Sequence, residues 1–339
     1  MVNKRSMDSS SSKEPKRIKT IEVKDKFQTP SKKHLDKTLI KATSCGDVKT
    51  VETLLKLGAN VNTQNRKKQT PLHLASYRAE HAIAKILLEN GANVYAQDSN
   101  GRTPLHEACF IEANLEMVQI LLKHHANVNK RTRTRKTPLH YACLYSEGPD
   151  IVEILLENGA SLNAQDEDGS TPLHEAASGF NGTASKLEIL KILLRHNAEV
   201  NARNREGETP LHDACTFEQL EIVQELLKHN PNVNAIAFRE MHGERSPLMF
   251  AVMKGNGDIV EELLAHGADI DFSDSLLGNS LNIAIEMGHV EMVKTLLKNC
   301  CNTNAKAKMF DENGDCTGFE SSLYLGYTDM LKMLAFHKT

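Results

Sequence analysis

Apolar residues along most of this chain are three or four positions apart in short runs, which predicts short amphipathic helices. One such run consists of Leu115, Val118, Leu121 and Leu122. Many of the runs end at a residue that suits a left-handed helix cap, namely Gly58, Gly91, Gly159 or Gly267. The hydrophobic pattern therefore predicts an all-α fold built from short helices with tight ends.

A four-residue motif, Thr-Pro-Leu-His, marks the start of a second kind of helix. Its five copies start at Thr70, Thr103, Thr137, Thr171 and Thr209, and each is followed one residue later by alanine. Threonine is a good helix N-cap, and proline fits the first helical position because its missing N–H costs nothing there. Weaker copies start at Lys37, Ser246, Asn279 and Thr317. The nine starts, near 37, 70, 103, 137, 171, 209, 246, 279 and 317, are 33 to 38 residues apart.

The motif and its period resemble the ankyrin repeat, and the resemblance covers residues 37 to 338. It implies a solenoid of helix-turn-helix repeats with β-hairpin fingers over residues 36–339, which we expect to be a monomer. Neighbouring repeats must stack, because one repeat cannot bury its apolar face alone. The resemblance also implies protein binding without catalysis. Nearly every residue after residue 36 belongs to a repeat, which leaves no room for a catalytic domain.

Residues 1–35 differ in composition, with ten Lys or Arg against four Asp or Glu, whereas the remaining chain has 31 against 40. Sparse apolar residues predict a disordered basic arm. Two basic groups with a ten-residue gap resemble a bipartite nuclear-import signal, read by an import receptor through residues 4–19. These groups contain Lys4, Arg5, Lys16, Arg17 and Lys19. We expect the protein in the nucleus, the cytoplasm or both.

The sequence has no apolar run of the ~18 residues that a membrane helix needs, and residues 1–19 are too polar and basic for a secretory signal. The seven cysteines are then expected to stay reduced. No phosphate loop, nucleophile elbow or zincin motif occurs, so we expect no enzyme activity and no cofactor. His106 and Cys109, and two similar pairs, could be metal ligands, but successive pairs lie ~10 Å apart, which favours a packing role.

Large side chains recur just after the motif alanine, where the resemblance places the end of the inner helix and the concave groove. The residues predicted to contact a partner there are Tyr77, Arg78, Phe110, Ile111, Tyr145, Phe180 and Phe217. Exposed aromatics and arginine are typical interface anchors. The alternative is that these rings pack under neighbouring loops, since three of these repeats carry extra residues there.

Basic residues gather at the predicted finger tips of repeats two to four. They are Arg66, Lys67, Lys68, Arg102, Arg133, Arg135 and Lys136, with Lys130 and Arg131 beside them. Lys68 and Arg135 occupy the position held by glycine in other fingers, where a side chain costs ~1 kcal/mol. The cost favours a role for the charge, although a solvated loop is an equal alternative.

These features predict a scaffold or adaptor that acts as a nuclear regulator. Its predicted partner is an extended acidic protein segment with apolar anchors. One alternative is an adaptor that recruits substrates to a ubiquitin ligase. Another is phosphate or nucleic-acid binding through the basic fingers, which the acidic body disfavours.

Overall fold

The computed structural model describes residues 31–110, 114–145, 148–179, 183–239, 243–274, 276–308 and 315–337. The described residues from Lys32 onward form one compact unit. Within that unit the described residues contain pairs of helices, the first of each pair called inner and the second outer. The predicted all-α solenoid is confirmed.

The inner helices start the repeats, and eight of the nine begin one residue after the start predicted from the motif. They are α1 (Lys32–Ser44), α3 (Pro71–Tyr77), α5 (Pro104–Cys109), α7 (Pro138–Tyr145), α9 (Pro172–Ala177), α11 (Pro210–Thr216), α13 (Pro247–Lys254), α15 (Ser280–Glu286) and α17 (Gly318–Tyr324). The outer helices are α2 (Val48–Lys56), α4 (His81–Glu89), α6 (Leu115–Lys123), α8 (Pro149–Glu157), α10 (Thr183–Arg195), α12 (Leu220–Leu227), α14 (Gly257–Ala265), α16 (Val290–Lys298) and α18 (Thr328–His337). None of these helices combines the length and apolar character that crossing a membrane requires.

The first helix begins earlier than the sequence suggested. It starts at Lys32, whereas the basic arm was expected to extend to residue 35. Leu35 is buried one turn before the buried Leu39, so the apolar stripe of α1 continues past the predicted boundary. The predicted import residues and the rest of segment 1–30 lie outside the described residues.

A continuous core runs through the stack. Each inner helix packs against its own outer helix and against the next inner helix. Fully buried side chains come from both layers, as Leu105 and Ala108 of α5 and Val118 and Leu121 of α6 show. At the ends of the outer helices, Gly58 and Gly91 have φ of 87° and 81°, which confirms the predicted left-handed caps.

The fingers between repeats are of two kinds. The five fingers between repeats one and six are short turns, each closed by a backbone hydrogen bond from its first residue to its fifth, and the finger between repeats seven and eight closes in the same way from Asp274 to Gly278. The first five are finger one (65–69), finger two (98–102), finger three (132–136), finger four (166–170) and finger five (204–208). Antiparallel strands form only in the two longer fingers of the described chain, where β1 (Ala237–Arg239) pairs with β2 (Gly243–Arg245) and β3 (Lys306–Lys308) pairs with β4 (Asp315–Thr317). The expected hairpins are therefore limited to fingers with enough residues for a ladder.

Candidate functional site

Five of the predicted contact residues lie at the C-terminal ends of inner helices. Tyr77 and Tyr145 are the last residues of α3 and α7. Phe110 and Phe217 directly follow α5 and α11. Arg78 caps α3 beside Tyr77 and is exposed. Ile111 and Phe180 lie outside the described residues.

Three of these rings and one unpredicted ring form an aromatic cluster, defined as Tyr77, Phe110, Tyr141 and Tyr145. The Phe110 and Tyr145 ring centroids are 4.3 Å apart, and Tyr77 lies 6.2 Å from Phe110. Tyr141 lies 5.9 Å from Tyr145 and 6.3 Å from Phe110. Because these distances are typical of favourable ring pairs, the cluster joins repeats two to four into one surface.

The cluster is only partly covered by the protein. Tyr77 is 43% exposed, and the other three rings are half-buried. Phe110 and Tyr145 therefore pack against neighbours and also face solvent, which combines the two interpretations that the sequence left open. Phe217 is also 43% exposed, and it lies beside a cleft of about 280 Å³ that Leu144 and Asp213 also line.

Sequence reasoning missed Tyr141. It occupies the variable position between the histidine and the alanine in the motif of the fourth repeat. Glu107 holds this position in the third repeat and Glu175 holds it in the fifth. The ring of Tyr141 meets the buried His106 edge-on, with centroids 5.4 Å apart. The available signal was an aromatic at a motif position that charged residues occupy in neighbouring repeats.

The finger tips are joined directly to one another by backbone hydrogen bonds. Ser99 N donates to Lys67 O and Arg133 N donates to Asn100 O, both at 2.9 Å. Fingers three and four are joined in the same way, where Glu167 N donates to Thr134 O at 2.9 Å. The tips thus form one continuous edge with a fixed order of charges.

Within fingers one to four, the exposed cations belong to fingers one and three, while Arg205 of finger five is exposed beside the exposed Glu206. The exposed cations of fingers one and three are Arg66, Lys67, Lys68, Arg133 and Arg135. Lys68 and Arg135 have φ of 59° and 61°, which confirms the left-handed conformation predicted for the glycine-like position. Both side chains therefore sit on strained backbone that glycine would occupy at less cost.

Two of the predicted basic residues are engaged inside the protein. Arg102 lies 3.0 Å from Asp98 and 3.3 Å from Glu107, whose side chain is 1% exposed. Burial raises the pKa of Glu107, and the nearby Arg102 guanidinium partly offsets that rise. The charge of Arg102 is thus opposed by carboxylates of its own chain.

Lys136 is held in the same way. Its Nζ lies 3.2 Å from Asp166 Oδ2 and also contacts Glu175 Oε1. Asp166 and Glu175 are both buried, and burial raises the pKa of Glu175 while Lys136 lowers it. The Lys136 ammonium thus compensates two buried carboxylates of its own chain, and its contact with a partner stays a prediction.

The motif histidines connect successive repeats. Nδ1 of His106 accepts the backbone N–H of Thr103 at 3.1 Å, and Nε2 lies 3.3 Å from the carbonyl oxygen of Lys136 in the next finger. Because a carbonyl oxygen can only accept, Nε2 must carry the proton and the ring is neutral. Burial lowers the pKa of His106, His140 and His212 to about 4.

The histidine and cysteine pairs, such as His106 and Cys109, are buried and have packing and hydrogen-bonding roles within the repeats. Both nitrogens of His106 already have partners, and burial raises the pKa of Cys109, which keeps its thiol protonated. Among the described residues, no group of three or more His, Cys, Asp or Glu side chains is arranged to hold a metal ion. Cys300 is exposed and Cys301 is buried, and both are free thiols.

Comparison with protein-family models matches ankyrin repeats (three copies) to residues 26–98, 79–166, 145–237 and 236–308. The matched ranges together run from residue 26 to residue 308 of the 339 residues. A comparison with curated proteins finds no match. The family match covers all the repeats that carry the aromatic cluster and the five short fingers.

Proposed function

This chain belongs to the ankyrin-repeat family, as its Thr-Pro-Leu-His motifs predicted, and on that premise we propose that it is a non-catalytic scaffold. Ankyrin repeats generally mediate protein–protein interaction. The aromatic cluster and the exposed cations of fingers one and three form the surface that takes the partner. Both features belong to repeats two to four, so a single partner segment can contact them together.

The partly exposed aromatic cluster carries this proposal. A ring such as Tyr77 offers a large apolar contact area with few rotatable bonds, which keeps the entropic cost of binding low. Tyr77 keeps 43% of its surface exposed despite its contact with Phe110. A partner side chain placed on this cluster would bury the remaining apolar surface at the centre of the contact.

Substituting Phe110→Ala together with Tyr145→Ala is expected to weaken partner binding by about 2 kcal/mol or more, mainly through faster dissociation. Partners would be captured with the wild-type protein and identified by mass spectrometry, and their kinetics then measured by surface plasmon resonance. Tyr95→Ala is the matched control, because Tyr95 is 56% exposed and lies outside the cluster. A variant pair that melts much earlier but binds normally would assign the cluster to packing alone.

A nuclear role is part of the proposal, and the basic groups of segment 1–30 support it. Import receptors read basic side chains on extended segments, and two groups with a spacer suit that geometry. Replacing Lys16, Arg17 and Lys19 with Ala should move a large fluorescent fusion from the nucleus to the cytoplasm. A second fusion, in which Lys13, Lys24 and Lys26 are replaced with Ala, is the control for loss of charge. An unchanged distribution of the first variant would refute the import signal.

A further inference from the structure

The structure separates the basic residues of the fingers into two sets that the sequence could not distinguish. Arg102 and Lys136 are opposed by buried carboxylates of the same chain. The five tip cations of fingers one and three are exposed, and none of them makes an ion pair within the described residues. Only the second set has charge left for a partner.

The exposed cations follow a fixed pattern along the finger edge. Finger one presents Arg66, Lys67 and Lys68, and finger three presents Arg133 and Arg135. Between them, finger two presents the uncharged Ser99 and Asn100, because its one arginine and one aspartate pair with each other. The backbone bonds between tips keep this order of positive, neutral and positive fingers.

The positive edge ends sharply at the next finger. The tip of finger four carries Glu167 and Asp168, both exposed, and Glu167 N is bonded directly to Thr134 O of finger three. An acidic side chain placed beyond finger three would therefore meet like charge. Within fingers one to four, the favourable region for an acidic segment is confined to fingers one to three, and the acidic finger four separates it from Arg205 of finger five.

The aromatic cluster lies beside the middle of this region. Tyr77 belongs to the repeat that follows finger one, and Tyr145 belongs to the repeat that follows finger three. The inner helix α3 has seven residues, so about 10 Å separates its finger end from its aromatic end. An extended segment that lies between the fingers and the aromatic ends can therefore contact both, because its successive side chains point to opposite faces.

We infer that the partner segment has two acidic groups about six residues apart, with an apolar anchor between them. This inference rests on the proposed function and extends it. The spacing follows from the repeats: stacked helices are about 10 Å apart, so fingers one and three are separated by about 20 Å. An extended chain covers about 3.3 Å per residue, which gives about six residues. The acidic groups meet fingers one and three, and the anchor enters the aromatic cluster.

Three synthetic peptides, of which the first two have identical composition, test this pattern. The first probe is a fluorescein-labelled 14-residue peptide with two Asp-Glu pairs separated by four residues, which places the pair centres six positions apart, with Phe and Leu in the spacer. The second has all four acidic residues together at one end, and the third replaces them with Asn and Gln. By fluorescence anisotropy, the full-length protein should bind the first probe at least about tenfold more tightly than the other two.

Charge reversal shows where the acidic groups bind. Arg133→Glu with Arg135→Glu should weaken the first probe about tenfold and should improve binding of a peptide whose second acidic pair is replaced by two lysines. The control is Lys56→Glu with Lys123→Glu, which reverses two exposed lysines at the ends of outer helices α2 and α6. Rescue by the lysine peptide would exclude unfolding as the cause.

Other outcomes would overturn the inference. Equal binding of the first and second peptides would refute the six-residue spacing, and binding of none of them would refute the acidic chemistry. Displacement of the first probe by a single-stranded oligonucleotide at lower concentration than by unlabelled peptide would favour nucleic acid as the ligand. The proposed scaffold function would survive each result if captured partners remained sensitive to loss of Phe110 and Tyr145.

Discussion

Lowering the pH from 7 to 5 should reduce the free energy of unfolding by several kcal/mol. His106, His140 and His212 account for most of the effect, since burial holds their folded-state pKa at about 4, far below the ordinary 6.5. At pH 5 the unfolded chain binds a proton at each of these positions, whereas the folded chain does not. This difference costs about 2 kcal/mol for each histidine.

The direction and the range of pH follow from the same values. Above pH 6.5 both states are neutral at these positions, so the contribution to stability is constant. As the pH falls from 6.5 towards 4, the unfolded state gains protons first and stability is lost. Below about 4 the folded histidines also take up protons, and these three groups cause no further loss. Burial also lowers the pKa of His73 and His174, which adds to the effect.

Two buried carboxylates act in the opposite direction. Burial raises the pKa of Glu107 and Glu175, so the folded state binds their protons more readily and gains stability as the pH falls. Their protonation therefore partly offsets the loss of stability that the histidines cause.

Urea unfolding followed by circular dichroism at pH 7, 6 and 5 measures this loss. His140→Gln is the informative variant, because glutamine can accept from Thr137 N and donate to the carbonyl oxygen of Ser170, the partners of His140, without titrating. The variant should lose about 2 kcal/mol less than wild type between pH 7 and 5. The same unfolding free energy at pH 7 and pH 5 in wild type would contradict the buried, neutral state of these rings.

The repeats themselves were predictable because their local rules agree with the global fold. Where threonine caps the inner helix, proline starts it and a glycine such as Gly91 ends the outer helix, the repeat indicates its own boundaries. The strained backbone of Lys68 and Arg135 was predictable for the same reason, since they replace glycine at a position of known geometry. The first boundary was missed because α1 has no Thr-Pro start, and its extra turn is marked only by Leu35.

The candidate surface was less predictable, because its geometry depends on contacts between repeats. Tyr141 joins the aromatic cluster through Phe110, which is 31 residues away in sequence and belongs to another repeat. Whether a finger cation faces solvent or the protein likewise depends on the next repeats. Lys136 meets Glu175, which is 39 residues later, while its neighbour Arg135 is exposed. No pattern within one finger contains that information.

The adjacent residues Arg135 and Lys136 therefore give the sharpest test of the difference between a finger cation that faces solvent and one that faces the protein. Substituting Lys136→Met should lower the free energy of unfolding at pH 7 by about 3 kcal/mol, because it leaves the buried carboxylates of Asp166 and Glu175 without their cation. Arg135→Met should change it by less than about 0.5 kcal/mol, as expected for an exposed side chain.

Two further measurements identify the cause of the Lys136→Met effect. Adding Glu175→Gln to that variant should recover much of the lost stability, because the amide removes one of the two uncompensated charges. The destabilisation should also be smaller at pH 5 than at pH 7, because burial already raises the pKa of Glu175 and loss of the lysine favours its protonation further. If Lys136→Met instead unfolded like Arg135→Met while slowing partner association, Lys136 would be a surface charge and its contact with Glu175 would contribute little to folding.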